Sequence, residues 1–147
     1  MGMRATIFTA IQNKLLTVAN FKGADGTTRV YPYERTNQDG FPAASITDGG
    51  KTESVIIDTL RDKRTYYYNV RLYQEILAED RGRAEGDRIM RELEDTVLAV
   101  FDADNDLSVA GVLRTVPINT SWGYLEGGKL RVIDITLAVE TAAIVNP

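Results

Sequence analysis

The chain has 147 residues, 26% of them charged and 44% hydrophobic, with a formal net charge of −4; this is the make-up of one ordinary globular unit with its own core. Cysteine and histidine are both absent, which excludes disulfides, thiolate nucleophiles, zinc–cysteine sites, a serine–histidine–aspartate triad and the HExxH zinc motif. The acidic balance argues against a general nucleic-acid binder, whose affinity comes from neutralising phosphates, and no apolar run approaches the roughly 18 residues that span a bilayer.

The N-terminal stretch MGMRATIFTAIQNKLL has one arginine, is interrupted by polar residues from Thr6 to Lys14, and lacks a small-residue cleavage pattern. It reads as a helix from about Arg4 to Ala19, not as a signal peptide. Ile7, Ile11, Leu15 and Val18 recur at helical spacing, with Phe8 and Leu16 widening the stripe. Burying such a stripe contributes roughly 1.5–3 kcal/mol per large side chain before conformational entropy is set against it.

A turn at Gly23–Gly26 leads into a strand over Thr28–Tyr33, which Pro32 confines to a sheet edge because it lacks an amide donor. The segment from about Glu34 to Glu53 is polar and rich in turn signals: Asp39-Gly40, Pro42 and Asp48-Gly49-Gly50. We expect a long assembly loop there, with a short strand at Ala43–Thr47 and a hairpin tip or mobile loop at Asp48–Lys51. A further strand is expected over Ser54–Leu60.

The next strand, Arg64–Gln74, is long and should be central. A period of two places Tyr66, Tyr68, Val70 and Leu72 on one face, and Tyr67, Asn69, Arg71, Tyr73 and Glu75 on the other. The first set suits a core. The second leaves Tyr67 and Tyr73 facing water, a partner, or a covering layer of the same subunit.

A second helix follows, capped by Asp80 or a neighbour and secure over Ala84–Phe101 beyond Gly82 and Gly86. Its expected buried stripe is Ile89, Leu93, Val97 and Val100, joined by Met90 and Phe101. Asp87 and Arg91, Arg88 and Glu92, and Arg91 and Asp95 lie four residues apart on its outer face. Two closing strands, Val112–Trp122 and Lys129–Thr141, are joined across Gly123–Gly128. The last of them alternates, with Arg131, Ile133, Ile135, Leu137 and Val139 as its core face. The order predicts an α+β fold: a mostly antiparallel sheet with two helices packed on one face, formed by a single domain over 1–147.

No residue pattern carries a reaction. Asp102, Asp104 and Asp106 have the spacing that opens a calcium loop, but Leu107 and Leu113 stand where glycine and a carboxylate are required. Arg81, Arg83, Arg88 and Arg91 are interleaved with acids and form a solvated face. Asp48-Gly49-Gly50-Lys51-Thr52 lacks the upstream glycine of a phosphate loop. Ser45, Ser54, Ser108 and Ser121 have no evident base. The tyrosines are the remaining candidates: Tyr67 and Tyr73, with Tyr31, Tyr33 and Trp122, offer rigid apolar area with a polar tip, which suits an interface. Cross-strand packing beneath a loop or second layer is the alternative.

Asp58 or Asp62, followed by Arg64, Tyr66, Tyr68, Val70, Leu72, Tyr73, Gln74 and Glu75, forms a pattern that, with the helix ending at Phe101-Asp102 and the closing hairpin, resembles the tail-terminator proteins of long-tailed bacteriophages. These are also called tail-completion or head–tail joining proteins. The resemblance runs from the first helix to the last strand. It implies a non-enzymatic virion subunit without a cofactor, forming a ring, usually hexameric, at the head-proximal end of the tail tube. Its implied partners are the tail tube protein and the head connector or stopper protein, with DNA passing through the lumen without specific binding and with assembly in the host cytoplasm. The residues alone also admit a small dimeric binding or regulatory module, another neck or tail-tube protein, and a carboxylate- or metal-dependent enzyme.

Overall fold

A computed structural model of the chain describes residues 2–23, 26–34, 38, 40–56, 61–76 and 80–144. Helix α1, Met3–Leu16, buries Ile7, Ile11 and Leu15, as their spacing requires. It stops short of Ala19: Thr17 turns the chain, its hydroxyl donating to the Lys14 carbonyl at 2.6 Å. A 3-10 turn over Ala19–Phe21 then places Phe21 in the core.

The remaining elements are β1 (Val30–Tyr31), β2 (Ala43–Ile56), β3 (Arg61–Glu75), α2 (Asp80–Ala103), β4 (Val112–Leu125) and β5 (Leu130–Ile144). They form a five-stranded sheet in the order β1-β2-β3-β5-β4. β1 lies parallel to β2 and the other pairs are antiparallel. β3 is central, and Tyr66, Tyr68, Val70 and Leu72 are all buried. One continuous core joins Ile7, Ile11 and Leu15 of α1, Met90, Leu93, Val97 and Phe101 of α2, and alternate residues of β3 and β5. Both helices therefore cover the same face of the sheet, and the architecture is the expected α+β arrangement.

The expected loop over 34–53 is corrected in its second half. β2 runs unbroken from Ala43 to Ile56, so Asp48–Lys51 is not a hairpin tip. Its pairing with β3 shifts register between Asp48 and Thr52. The glycine pair is a bulge within a strand, a place where one backbone approaches another closely. A Cβ added to Gly49 would lie 2.7 Å from both the carbonyl carbon and the Cβ of Tyr67. The expected separate strand over Ser54–Leu60 is the end of β2 in its first part, and 57–60 lie outside the described residues. Arg61–Lys63, which lie between the two expected strands, already belong to β3.

Helix α2 starts earlier than Ala84 and buries four of the six residues expected in its stripe. Gly86 is buried because the helix start packs on the end of β3, where a Cβ at Gly86 would lie 3.4 Å from Ile76 Cγ1. The fully buried residues are Met90, Leu93, Val97 and Phe101; Ile89 and Val100, expected in the stripe, are only half-buried flanks of it. The outer ion pairs are also rearranged. Arg88 bonds Glu92 at 2.9 Å as expected, whereas Asp87 turns to Arg131 of β5, again at 2.9 Å.

Candidate functional site

The face of the sheet opposite the helices begins, at the β1 end, with a second apolar cluster. Tyr31, Ala43, Tyr73, Leu130 and Val132 are buried there, with Phe41 and Leu125 packed against them. Tyr73 is 1% exposed and its hydroxyl shares a hydrogen bond of 3.1 Å with the buried Ser45 Oγ. Burial pushes the Tyr73 phenol above its ordinary pKa, and the Ser45 contact offsets this only in part. The expectation that Tyr73 and Tyr31 offer surface to a partner is therefore corrected: both are covered within the subunit, the cross-strand packing alternative.

Beyond that cluster the face is polar. Arg71 grips Asp134 with two donors, Nε to Oδ1 at 2.6 Å and Nη2 to Oδ2 at 3.2 Å, and its Nη1 reaches Glu34. The hydrogen bond that Arg71 donates to Asp134 leads the effects that hold the guanidinium charged. With Ser45, Thr47 and Asn69 these groups line a cleft of about 240 Å³. Tyr67 lies further along the same face, half-buried. The Lys51 ammonium sits 4.6 Å from the centre of its ring, and Tyr67 remains available for contact.

The far end of the face is held by Glu140, which accepts from Arg114 and pairs with Lys63 at 3.1 Å. The Arg114 contact, ahead of Lys63, holds the Glu140 carboxyl below its ordinary value of 4.5. A depressed carboxylate pKa stabilises the fold above the unfolded-state value, and the contribution is lost as the pH falls through the folded-state value. The melting-temperature gap between wild type and Glu140→Gln is therefore expected to be small, widest near neutrality, and to close as the pH falls below about 4.5. Thermal melts at pH 7 and pH 3 check this; a gap that widens in acid refutes it.

Trp122 faces the helices. Its indole Nε1 donates to Glu94 Oε2 of α2 at 2.8 Å. Arg131 lies over both the Trp122 ring, at 4.8 Å, and the Tyr124 ring, at 4.2 Å. Trp122 thus ties α2 to β4 with its polar tip satisfied.

The turn after α2 explains the acidic triplet. Lys14 of α1 pairs with Asp104, and Ser108 donates from Oγ to Asp104 Oδ2 at 3.0 Å and from its amide to Asp106 Oδ1 at 2.9 Å. Lys14 and then Ser108 hold the Asp104 carboxyl below its ordinary range. These acids fasten a tight turn in which Leu107 and Ser108 take φ of 56° and 55°.

The strand expected over Val112–Trp122 is present as β4, but its place at the sheet edge and its outward apolar side chains were not foreseen. β4 is the last strand of the sheet and spans 14 residues. Its pairing with β5 skips Leu113 and Ile118, each the extra residue of a register shift. A bulge re-aims the extra side chain, and these are 52% and 53% exposed. The signal was present as Val112-Leu113 and Pro117-Ile118, apolar neighbours that break strict alternation. At the opposite edge, Tyr33 follows β1 and is 54% exposed, its ring 6.5 Å from that of Tyr31.

Among solved structures, a chain from the virion of a native gene transfer agent particle shares this fold, with a TM-score of 0.57 and 14% identity over 92% of this chain and 94% of that chain. No family model matches the sequence, and no curated protein matches it. The likeness at that identity shows a common fold across almost the whole of both chains.

Proposed function

We propose that the chain is a structural subunit of a phage-type virion: a tail terminator that forms a ring, of six copies by the family resemblance, at the head-proximal end of a tail tube. In this reading it stops tube growth, presents a docking surface to the head connector, and lets DNA pass through its lumen. The observation that carries the reading is the near end-to-end fold likeness to a chain of a gene transfer agent virion, a phage-like particle. The resemblance carried by the Arg64–Glu75 strand and the closing hairpin points the same way. The occupied ionic groups are consistent with a structural role: Arg71, Asp134, Glu140, Arg114, Lys14 and Asp104 all serve internal contacts.

The expected result is a ring in negative-stain images of the purified protein, with the matching mass by light scattering. Added to the phage-type tail tube protein, it caps tubes at one end and halts their elongation. A stable dimer with no affinity for tail tubes overturns the proposal.

A further inference from the structure

The large apolar side chains most exposed among the described residues are Tyr33, Leu113, Ile118 and Tyr124. None lies in the middle of a sheet face. Tyr33 sits beside β1 at one lateral end of the sheet, and the other three belong to β4 at the opposite end. We infer that these two ends are the complementary halves of one contact, and that the occupant of the β4 edge is the β1 end of a second copy of this chain. The inference deepens the ring proposal and rests on it.

Three observations select a second copy joined head to tail. First, a contact between unlike surfaces repeats around a ring, whereas a β4-to-β4 contact is isologous and stops at two copies. Second, a head-to-tail contact brings exposed apolar side chains from both ends of the sheet into one type of interface, while a β4-to-β4 contact leaves Tyr33 in water. Third, the two edges differ in protection. β4 carries a single charged side chain, Arg114, which is already paired with Glu140; Pro117 and the two bulges blunt its ladder pairing, so what this edge offers a partner is its exposed apolar side chains. The exposed part of β2 beyond β1 is guarded by Asp48, Lys51 and Glu53, and Arg4 occupies the Lys51 carbonyl at 2.9 Å. The β1 end offers only two paired residues before Pro32, so the contact is made by side chains more than by a continuous ladder. Leu113 and Ile118, turned out by their bulges, supply the knobs.

The absence of cysteine makes the test clean. Tyr33→Cys and Ile118→Cys are prepared singly and together, with Leu113→Cys as a second β4 probe, and each is checked for wild-type circular dichroism. They are then treated with a short bismaleimide under assembly conditions. The expected result is covalent dimers from the mixture of the two single variants, a ladder of covalent oligomers from the double variant, and monomers from either single variant alone. Ile118→Asp is expected to raise the concentration at which half the chains assemble about tenfold or more, with the thermal midpoint of the monomer unchanged. Wild-type rings without a cross-link from position 33 to either β4 probe overturn this inference and leave the ring proposal standing. Dimers from Ile118→Cys alone, in a wild-type protein that forms no ring, overturn both.

Discussion

Tyr73→Ala is expected to destabilise the subunit by about 3–5 kcal/mol, the range for removing a fully buried aromatic side chain, and to lower the melting temperature by roughly 6–20 °C for a domain of this size. The ring is 1% exposed and closes a small cluster with Tyr31, Ala43, Leu130 and Val132. That cluster lies on the side of the sheet away from the helices, so nothing from the main core can relax into the void. The milder Tyr73→Phe keeps the ring and removes only the hydroxyl that meets Ser45 Oγ at 3.1 Å. Ser45 is 2% exposed, so its hydroxyl is left without a partner, at a cost of about 1–3 kcal/mol. Tyr67→Ala, on the same strand parity but half-buried, should cost about 1 kcal/mol or less as a surface change. Urea titrations of the three variants check the ranking. A Tyr73→Ala chain that unfolds at the wild-type midpoint but fails to assemble would return Tyr73 to the interface.

The difference between Tyr67 and Tyr73 marks the boundary of what was legible. Period-two alternation assigns both to the face away from Tyr66 and Tyr68, and that assignment holds. Alternation does not say what covers a face. Tyr73 is covered because β1 and the segment through Phe41 lie at that end of the sheet, a long-range placement with no local signature. The stripe of α1 was readable because Ile7, Ile11 and Leu15 recur every four residues, although apolar residues make up more than half of that helix. Helix α2 has its apolar residues more to one side, with Ile89 and Val100 at the margin of that side, and its packing on β3, β4 and β5 centred the buried line on Met90, Leu93, Val97 and Phe101. The edge surface was hidden for a different reason. Leu113 and Ile118 become exposed knobs only because bulges interrupt the β4–β5 ladder, and a sequence shows a bulge as no more than a break in alternation.

Gly49→Ala is the second substitution with a large expected effect, about 2–3 kcal/mol, because the neighbour it meets is backbone. The added methyl would sit 2.7 Å from the Tyr67 carbonyl carbon and 2.8 Å from its oxygen. Tyr67 belongs to β3, which is paired on both sides, to β2 and to β5. Moving it would disturb two ladders at once, so β2 must shift instead, and with it the bulge that carries the strand from Asp48 to Thr52. The Arg4 anchor would loosen too, since Arg4 holds Asp48 Oδ1 at 3.0 Å and Thr52 Oγ1 at 2.7 Å, one on each side of the bulge. Gly50 provides the control. It has φ of +83° and nothing near its missing Cβ, so Gly50→Ala meets only the left-handed backbone cost of about 1–2 kcal/mol. Gly50→Asn, whose side chain tolerates that region better, should recover part of the loss. Thermal melts of the three variants separate the two effects: close approach gives Gly49→Ala the lower midpoint, and conformation gives the partial rescue at position 50. If Gly49→Ala melts with the wild type, the bulge does not bring β2 against Tyr67, and Asp48–Lys51 is free to turn as its glycines first suggested.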